Sequence, residues 1–374
     1  MSDKEYPVIF ECADQTLSLV EITVNDGEPI SNELIYGSIS GLKKDEDGNV
    51  LAGAVFGLFA EDTEEFTAEN AIMTAISGED GRFVFEKIPA KSYIVRELDT
   101  GSPAFVLNDT LYPVTVTEDG QVIEIEVENR YVKGSVKVIK VDRDNPETKL
   151  TGAVFEIYKD TNDNGIFDAD TDELIGTMSE TEIGVYRMDE LRYGGYFLFE
   201  SAAPELFNAD GVYHYFRIET DGEIKTVENS EGVGFVNAPK VGSLKIVKTS
   251  SDGKVEGFSF RITSANGYDE VFVTDENGEI FIENLRIGSE YLVTEISNEA
   301  NADYVLPEDK TVTITEGTVT EIEMHNERKP EPEVPESPQT GDNSNILLYA
   351  LLMLASGSAL VILLITSKKL KRTE

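Results

Sequence analysis

Leu51-Ala52-Gly53-Ala54-Val55-Phe56-Gly57-Leu58-Phe59 returns as Leu150-Thr151-Gly152-Ala153-Val154-Phe155-Glu156-Ile157-Tyr158, and again as Val255-Glu256-Gly257-Phe258-Ser259-Phe260-Arg261-Ile262. Each copy sets a turn-forming Gly before alternating apolar residues, the period-2 pattern of a half-buried strand. The copies lie roughly 100 residues apart, so internal repetition is the first question to settle. Working outward, each sits in a unit that opens Gly-Ser, at Gly37-Ser38, Gly134-Ser135 and Gly242-Ser243. Every unit then runs through an apolar strand, an acidic turn, the quoted strand, a strand ending in Glu and a last strand ending in Asn. Short strands between Asp/Gly/Asn turns, with no helical period before residue 346, predict an all-β chain of tandem Ig-like β-sandwich domains. The units are placed at 37–130, 131–239 and 240–328.

Strand parity exposes the candidate chemistry, because residues two apart share a face. Lys ends the apolar face of the first strand three times: Ile39, Gly41, Lys43; Val136, Val138, Lys140; Leu244, Ile246, Lys248. Glu does so in the Tyr-x-x-x-Glu strand: Tyr93, Val95, Glu97; Tyr196, Leu198, Glu200; Tyr291, Val293, Glu295. Asn does so in the last strand: Ile125, Val127, Asn129; Val233, Phe235, Asn237; Ile322, Met324, Asn326. The opposite faces carry Glu124, Glu126 and Glu128, or Glu321, Glu323 and His325, which belong in solvent. Any one of the nine, taken singly, is an ordinary surface polar residue. Nine on the inward parity are different, since burying them unpartnered is costly; their convergence implies that they meet.

The chain has 72 acidic and 31 basic residues, a formal net charge of −41 and one cysteine, Cys12. Such a surface repels nucleic acid and anionic lipid. A single cysteine excludes an intramolecular disulfide. His214 and His325 stand in no catalytic or metal-ligand spacing.

The C-terminal stretch is organised differently. Lys329-Pro330-Glu331-Pro332-Glu333-Val334-Pro335-Glu336 (329–336) is a semi-rigid spacer, because alternating Pro fixes φ and the carboxylates repel one another. Ser337-Pro338-Gln339-Thr340-Gly341 (337–341) follows, then an apolar run from Ile346 to Thr366 and a basic tail, 367–374. At about 1.5 Å per residue the 346–366 run makes roughly 31 Å of helix, enough for a transmembrane span. The Lys/Arg cluster after it marks the cytoplasmic end, which places the rest outside the membrane. From the residues alone, this is also what an ordinary single-pass membrane protein would carry.

The pentapeptide, span and basic tail together resemble the sorting signal of Gram-positive cell-wall proteins. The resemblance implies that a sortase cysteine attacks the Thr340 carbonyl, releases Gly341 with the span, and passes the chain to an amine of the peptidoglycan cross-bridge. The membrane is then a partner only before sorting. The usual first residue is Leu, where this chain has Ser337. Residues 37–328 resemble the Cna B-type and SpaA-like prealbumin-like domains of Gram-positive adhesins and pilins. The Gly-Ser start, the Leu-x-Gly-Ala-x-Phe strand and the Tyr-x-x-x-Glu motif carry that likeness, and Glu200-Ser201-Ala202-Ala203-Pro204 is close to the family's Glu-Thr-x-Ala-Pro. It implies autocatalytic isopeptide bonds joining Lys43 to Asn129, Lys140 to Asn237 and Lys248 to Asn326, with Glu97, Glu200 and Glu295 as the catalytic acids. No cofactor is required for that reaction.

In the second unit, Asp160, Asn162, Asn164 and Asp168 stand at positions 1, 3, 5 and 9 of a loop with Gly165 at position 6. That is the donor pattern of a Ca²⁺ loop, and it resembles EF-hand and dockerin-type loops. Thr171 occupies position 12, so Asp172 would supply the last carboxylate. The alternative is an acidic turn in an acidic protein.

Met1 to Val20 contains no basic and apolar leader, and Tyr6-Pro7-Val8 returns as Tyr112-Pro113-Val114. Residues 1–36 are therefore expected to be the tail of a preceding, truncated repeat. Three functions fit these readings. The leading one is a stalk or adhesin on the cell wall of a Gram-positive bacterium, presenting an unnamed extracellular ligand site and not an enzyme. The second is a sortase-polymerised pilin subunit, although Val114 stands where a Tyr-Pro-Lys motif would have its lysine. The third is the stalk of a surface enzyme whose catalytic domain lies upstream.

Overall fold

The computed structural model describes residues 8–9, 23–24, 34–331 and 346–370. Val8–Ile9 pairs antiparallel with Thr23–Val24. The expectation that 1–36 closes an earlier repeat falls mostly outside the described residues, as does the whole of the 337–341 motif.

Three two-sheet sandwiches follow. In the first, one sheet orders Arg82–Pro89, Tyr36–Asp45 and Val122–Asn129, and the other Met73–Ile76, Val55–Ala60, Ser92–Asp99 and Tyr112–Thr115. The third repeats this plan, with Glu279–Arg286, Val241–Ser250, Val319–Arg328 and the added short strand Tyr304–Val305 facing Asp269–Val273, Ser259–Ser264, Glu290–Ile296 and Lys310–Thr313. The second differs at its end. Its last strand is split into Ile224–Thr226 and Phe235–Asn237, both parallel to Lys133–Asp142. Val233, expected on the inward face, lies outside the strand and is 42% exposed. Each unit encloses its own apolar core, built on Phe56 and Phe85, on Phe155 and Phe235, or on Phe258 and Phe260.

The Gly-Ser openings have a packing cause. A Cβ on Gly37 would come within 2.9 Å of the Gln121 carbonyl, on Gly134 within 2.9 Å of that of Glu223, and on Gly242 within 2.2 Å of that of Thr315. The backbone of the turn before the last strand presses on the first strand there, and only Gly fits. Gly41, which breaks the apolar face of its strand, leaves room for Phe83, whose ring stacks on Phe56 at 3.7 Å.

Ile346–Leu370 is helical. Among the described residues no helix is long and apolar enough to cross a membrane. The transmembrane span expected over 346–366 is thus not shown among the described residues.

Candidate functional site: three buried Lys, Glu and Asn centres

Register brings the nine polar residues together. First and last strands run parallel, pairing Lys43 with Val127, Lys140 with Phe235 and Lys248 with Met324. Asn129, Asn237 and Asn326 follow two residues later on the same face. From the facing sheet, Glu97 is the register partner of Phe56, Glu200 of Phe155 and Glu295 of Phe260. The aromatic of the repeated strand thus marks where the Glu enters the core. All nine side chains are buried, none more than 4% exposed.

In the first centre Lys43 Nζ lies 3.4 Å from Glu97 Oε1, and Asn129 Nδ2 donates to that oxygen at 3.0 Å. In the second, Lys140 Nζ is again 3.4 Å from Glu200 Oε1, Asn237 Nδ2 donates to it at 2.9 Å, and the Lys140 amine also meets Asn237 Oδ1. In the third, Asn326 Nδ2 donates to Glu295 Oε1 at 2.7 Å, while Lys248 Nζ is drawn to the carbonyls of Met324, at 3.3 Å, and Thr249. The Asn129 and Asn326 carbonyl oxygens are buried without a partner.

Burial acts on the amines first. Desolvation pushes Lys43 and Lys248 below the ordinary lysine range, against the pull of Glu97 and Glu295. It brings Lys140 down to about 8, with Glu200 opposing. Each centre therefore holds an amine inclined to lose its charge and a carboxamide hydrogen-bonded to a buried Glu, and in the second the two are in contact.

The 160–172 loop closes on itself. The buried Asp160 carboxylate accepts from the amides of Asn164 and Gly165, and that of Asp172 from those of Thr161 and Asp168. Asn162 and Asn164 each accept from an amide two residues on, and Asp168 from that of Asp170. Among the described residues no three acidic, His or Cys side chains are gathered to hold a metal ion.

The three repeats match a known domain family. The SpaA prealbumin-like fold domain covers residues 37–131, 134–231 and 242–328. The chain belongs to this family. Among solved structures, the Bacillus anthracis TIE protein superposes with a TM-score of 0.61 at 23% identity, over 86% of this chain and 57% of that one. BcpA, the major pilin subunit of Bacillus cereus, gives a TM-score of 0.36 at 16% identity, over 78% of this chain and 99% of that one. Among curated proteins, Colossin-A of Dictyostelium discoideum is 22% identical over 322 residues, 78% of this chain and 3% of its own length. The chain thus spans only a small part of the curated relative and little more than half of the TIE protein.

Two sets of residues around the SpaA domains were not foreseen. The Glu carboxyls are gripped by groups from the following loop: the Asn108 and Asp210 backbone amides, and the Asn301 side chain. These loops share no sequence pattern that would announce them. The SpaA domains also clasp their neighbours. Arg192 of the second forks onto Asp47 of the first, and Arg286 of the third onto Asp142 and Asp144 of the second. Here a signal existed, because Leu191-Arg192 and Leu285-Arg286 end equivalent strands.

Proposed function

We propose that the chain is a non-enzymatic surface stalk whose three domains are each closed by an intramolecular amide, Lys43 to Asn129, Lys140 to Asn237 and Lys248 to Asn326. The observation that carries this is the burial of one Lys, one Glu and one Asn at the same register in every domain. The uncharged Lys Nζ attacks the Asn Cγ, a bond forms between them, the Cγ–Nδ2 bond breaks, and ammonia leaves with the amine proton. The Glu, carrying its proton, donates to the carboxamide oxygen and relays protons to the leaving nitrogen, a general acid and base role. Folding presents the two reactants to each other, which is worth roughly 7–11 kcal/mol of barrier.

The bond ties the first strand to the last. Closing the loop from Lys43 to Asn129 stabilises the domain by about 4.5 kcal/mol on a disulfide-type entropy estimate. Load applied at the ends passes through the bond and bypasses most of each sandwich, which suits a stalk without disulfides. Intact mass tests the reading: the full chain should be lighter than its sequence by one ammonia per domain, and Glu→Ala at residue 97, 200 or 295 should restore one. An unmodified mass contradicts it.

Anchoring belongs to the same proposal. A sortase would cleave after Thr340 and link the chain to the peptidoglycan cross-bridge, with the 346–366 helix as the transient span. Exposed apolar side chains such as Leu347 and Met353, at 76% and 72%, support a lipid environment for that helix. Thr340→Ala should leave the protein in the membrane fraction; a variant still linked to the wall rules out sorting. The pilin reading fits the same domains, and a ladder of wall-extracted material on denaturing gels would select it. Calcium in the 160–172 loop, through Asp160, Asn162, Asn164, Asp168 and Asp172, is a separate proposal supported by the burial of Asp160 and Asp172 at the loop's two ends.

A further inference from the structure

The three domains hold their Glu in two ways. In the first, the Asn108 backbone N–H donates to Glu97 Oε2 at 2.8 Å. In the second, the Asp210 backbone N–H donates to Glu200 Oε2 at 2.8 Å. Each of these carboxyls is fixed at both oxygens, by the Asn amide on Oε1 and by a loop amide on Oε2. In the third domain Glu295 Oε2 is buried without a partner. Asn301, itself only 2% exposed, turns its side chain inward instead and donates from Nδ2 to Oε1 at 3.0 Å, beside Asn326 Nδ2 at 2.7 Å.

Asn301 is well supported. Its Nδ2 also donates to the Ile296 carbonyl at 2.9 Å, and its Oδ1 accepts from the Asn298 amide at 2.8 Å. Asn298 is tied in turn to Gly257 O at 2.7 Å and Ser259 Oγ at 2.8 Å.

We infer that Asn301 is the positioning residue of the third centre, setting which oxygen of Glu295 carries the proton. This rests on the cross-link reading above. An oxygen that accepts two N–H groups is the carbonyl of a carboxyl, because the hydroxyl must donate. Asn301 and Asn326 together occupy Oε1, which leaves Oε2 as the hydroxyl. Glu295 Oε2 and Asn326 Oδ1 are the two buried atoms this centre leaves unpartnered, and a proton on Oε2 supplies the donor that Asn326 Oδ1 lacks once the two are brought together. The oxygen of the carboxamide that Lys248 must attack is then the one the acid polarises. The first two domains draw their second grip from the main chain, which no side-chain replacement removes; the third depends on one amide side chain.

The test uses the full chain, synthesised cell-free and sampled over time, with each link assigned by peptide mapping. In Asn301→Ala the link between Lys248 and Asn326 should form roughly 10²-fold more slowly, the penalty for a misplaced reacting group. The other two links should keep the parent pace. Asn298→Ala cuts the loop's ties to Gly257 and Ser259 and the acceptor of the Asn301 backbone N–H, but leaves the Asn301 Nδ2 donor and its bond to the Ile296 carbonyl, so it should close near the parent rate. The Glu295 carboxyl ¹³C resonance should move in Asn301→Ala and stay in Asn298→Ala, which a purely structural role would not produce. If Asn301→Ala closes as fast as the parent, or Asn298→Ala is equally slow, the assignment of Asn301 is overturned. If the parent itself loses no ammonia in any domain, the cross-link reading fails, and this inference with it.

Discussion

Lys140 meets Asn237 Oδ1 from the strand running parallel to it, whereas Lys248 turns its amine to the carbonyls of Thr249 and Met324. On the cross-link reading, the second centre holds its amine against the carboxamide and the third does not. In the first, Lys43 rests on Glu97 at 3.4 Å and on the Val127 carbonyl at 3.5 Å. The links should therefore close in the order second, first, third. Time-resolved peptide mapping after synthesis checks this, and a third domain that closes first would refute it.

The second link should also depend on pH. Only the uncharged amine attacks, and burial lowers Lys140 from 10.5 to about 8. Below that value the folded domain holds mostly ammonium, so the rate should rise about tenfold per pH unit there and flatten above it. The unfolded chain keeps its amine protonated up to the higher value. Before the bond forms, the fold therefore gains stability as pH rises between the two, because the unfolded state binds more protons in that window. Once the amide exists this dependence should disappear. A pH-independent rate would contradict the nucleophile assignment.

The two domain junctions should differ in strength. Arg286 grips Asp142, whose side chain is 4% exposed, while Arg192 and Asp47 are 43% and 44% exposed. Arg286→Ala strands a buried carboxylate and should destabilise the junction of the second and third domains by about 3–5 kcal/mol. Arg192→Ala removes an exposed pair worth about 0–1 kcal/mol. Thermal melts and proteolysis of the linkers near residues 131 and 240 distinguish the two; equal effects would show that the forks do not set the stiffness.

Much of this was legible in the chain. Alternation fixes the faces of the Lys, Glu and Asn strands, and burying a charged group requires company, so the meeting of the nine residues follows from strand parity. Local pattern fails where distant backbone decides. Val233 has inward parity, yet the insertion before Gly234 splits the last strand of the second domain and leaves it exposed. The loop groups that grip the Glu residues come from connections of unlike length and composition. Asn301 is one of two Asn in its loop until the fold turns it inward.

Calcium addition tests the loop. A cation bound only by the folded second domain should raise its melting temperature as concentration exceeds the dissociation constant. Identical melting in excess Ca²⁺ and in chelator would leave Asp160 and Asp172 as amide-capping groups alone.

The central claim is covalent, and proteolytic mapping of the denatured full chain reads it directly. The account predicts three branched peptides, each joining the fragment of Lys43, Lys140 or Lys248 to that of Asn129, Asn237 or Asn326 and lacking one ammonia. Linear fragments of unmodified mass at all six positions would contradict it.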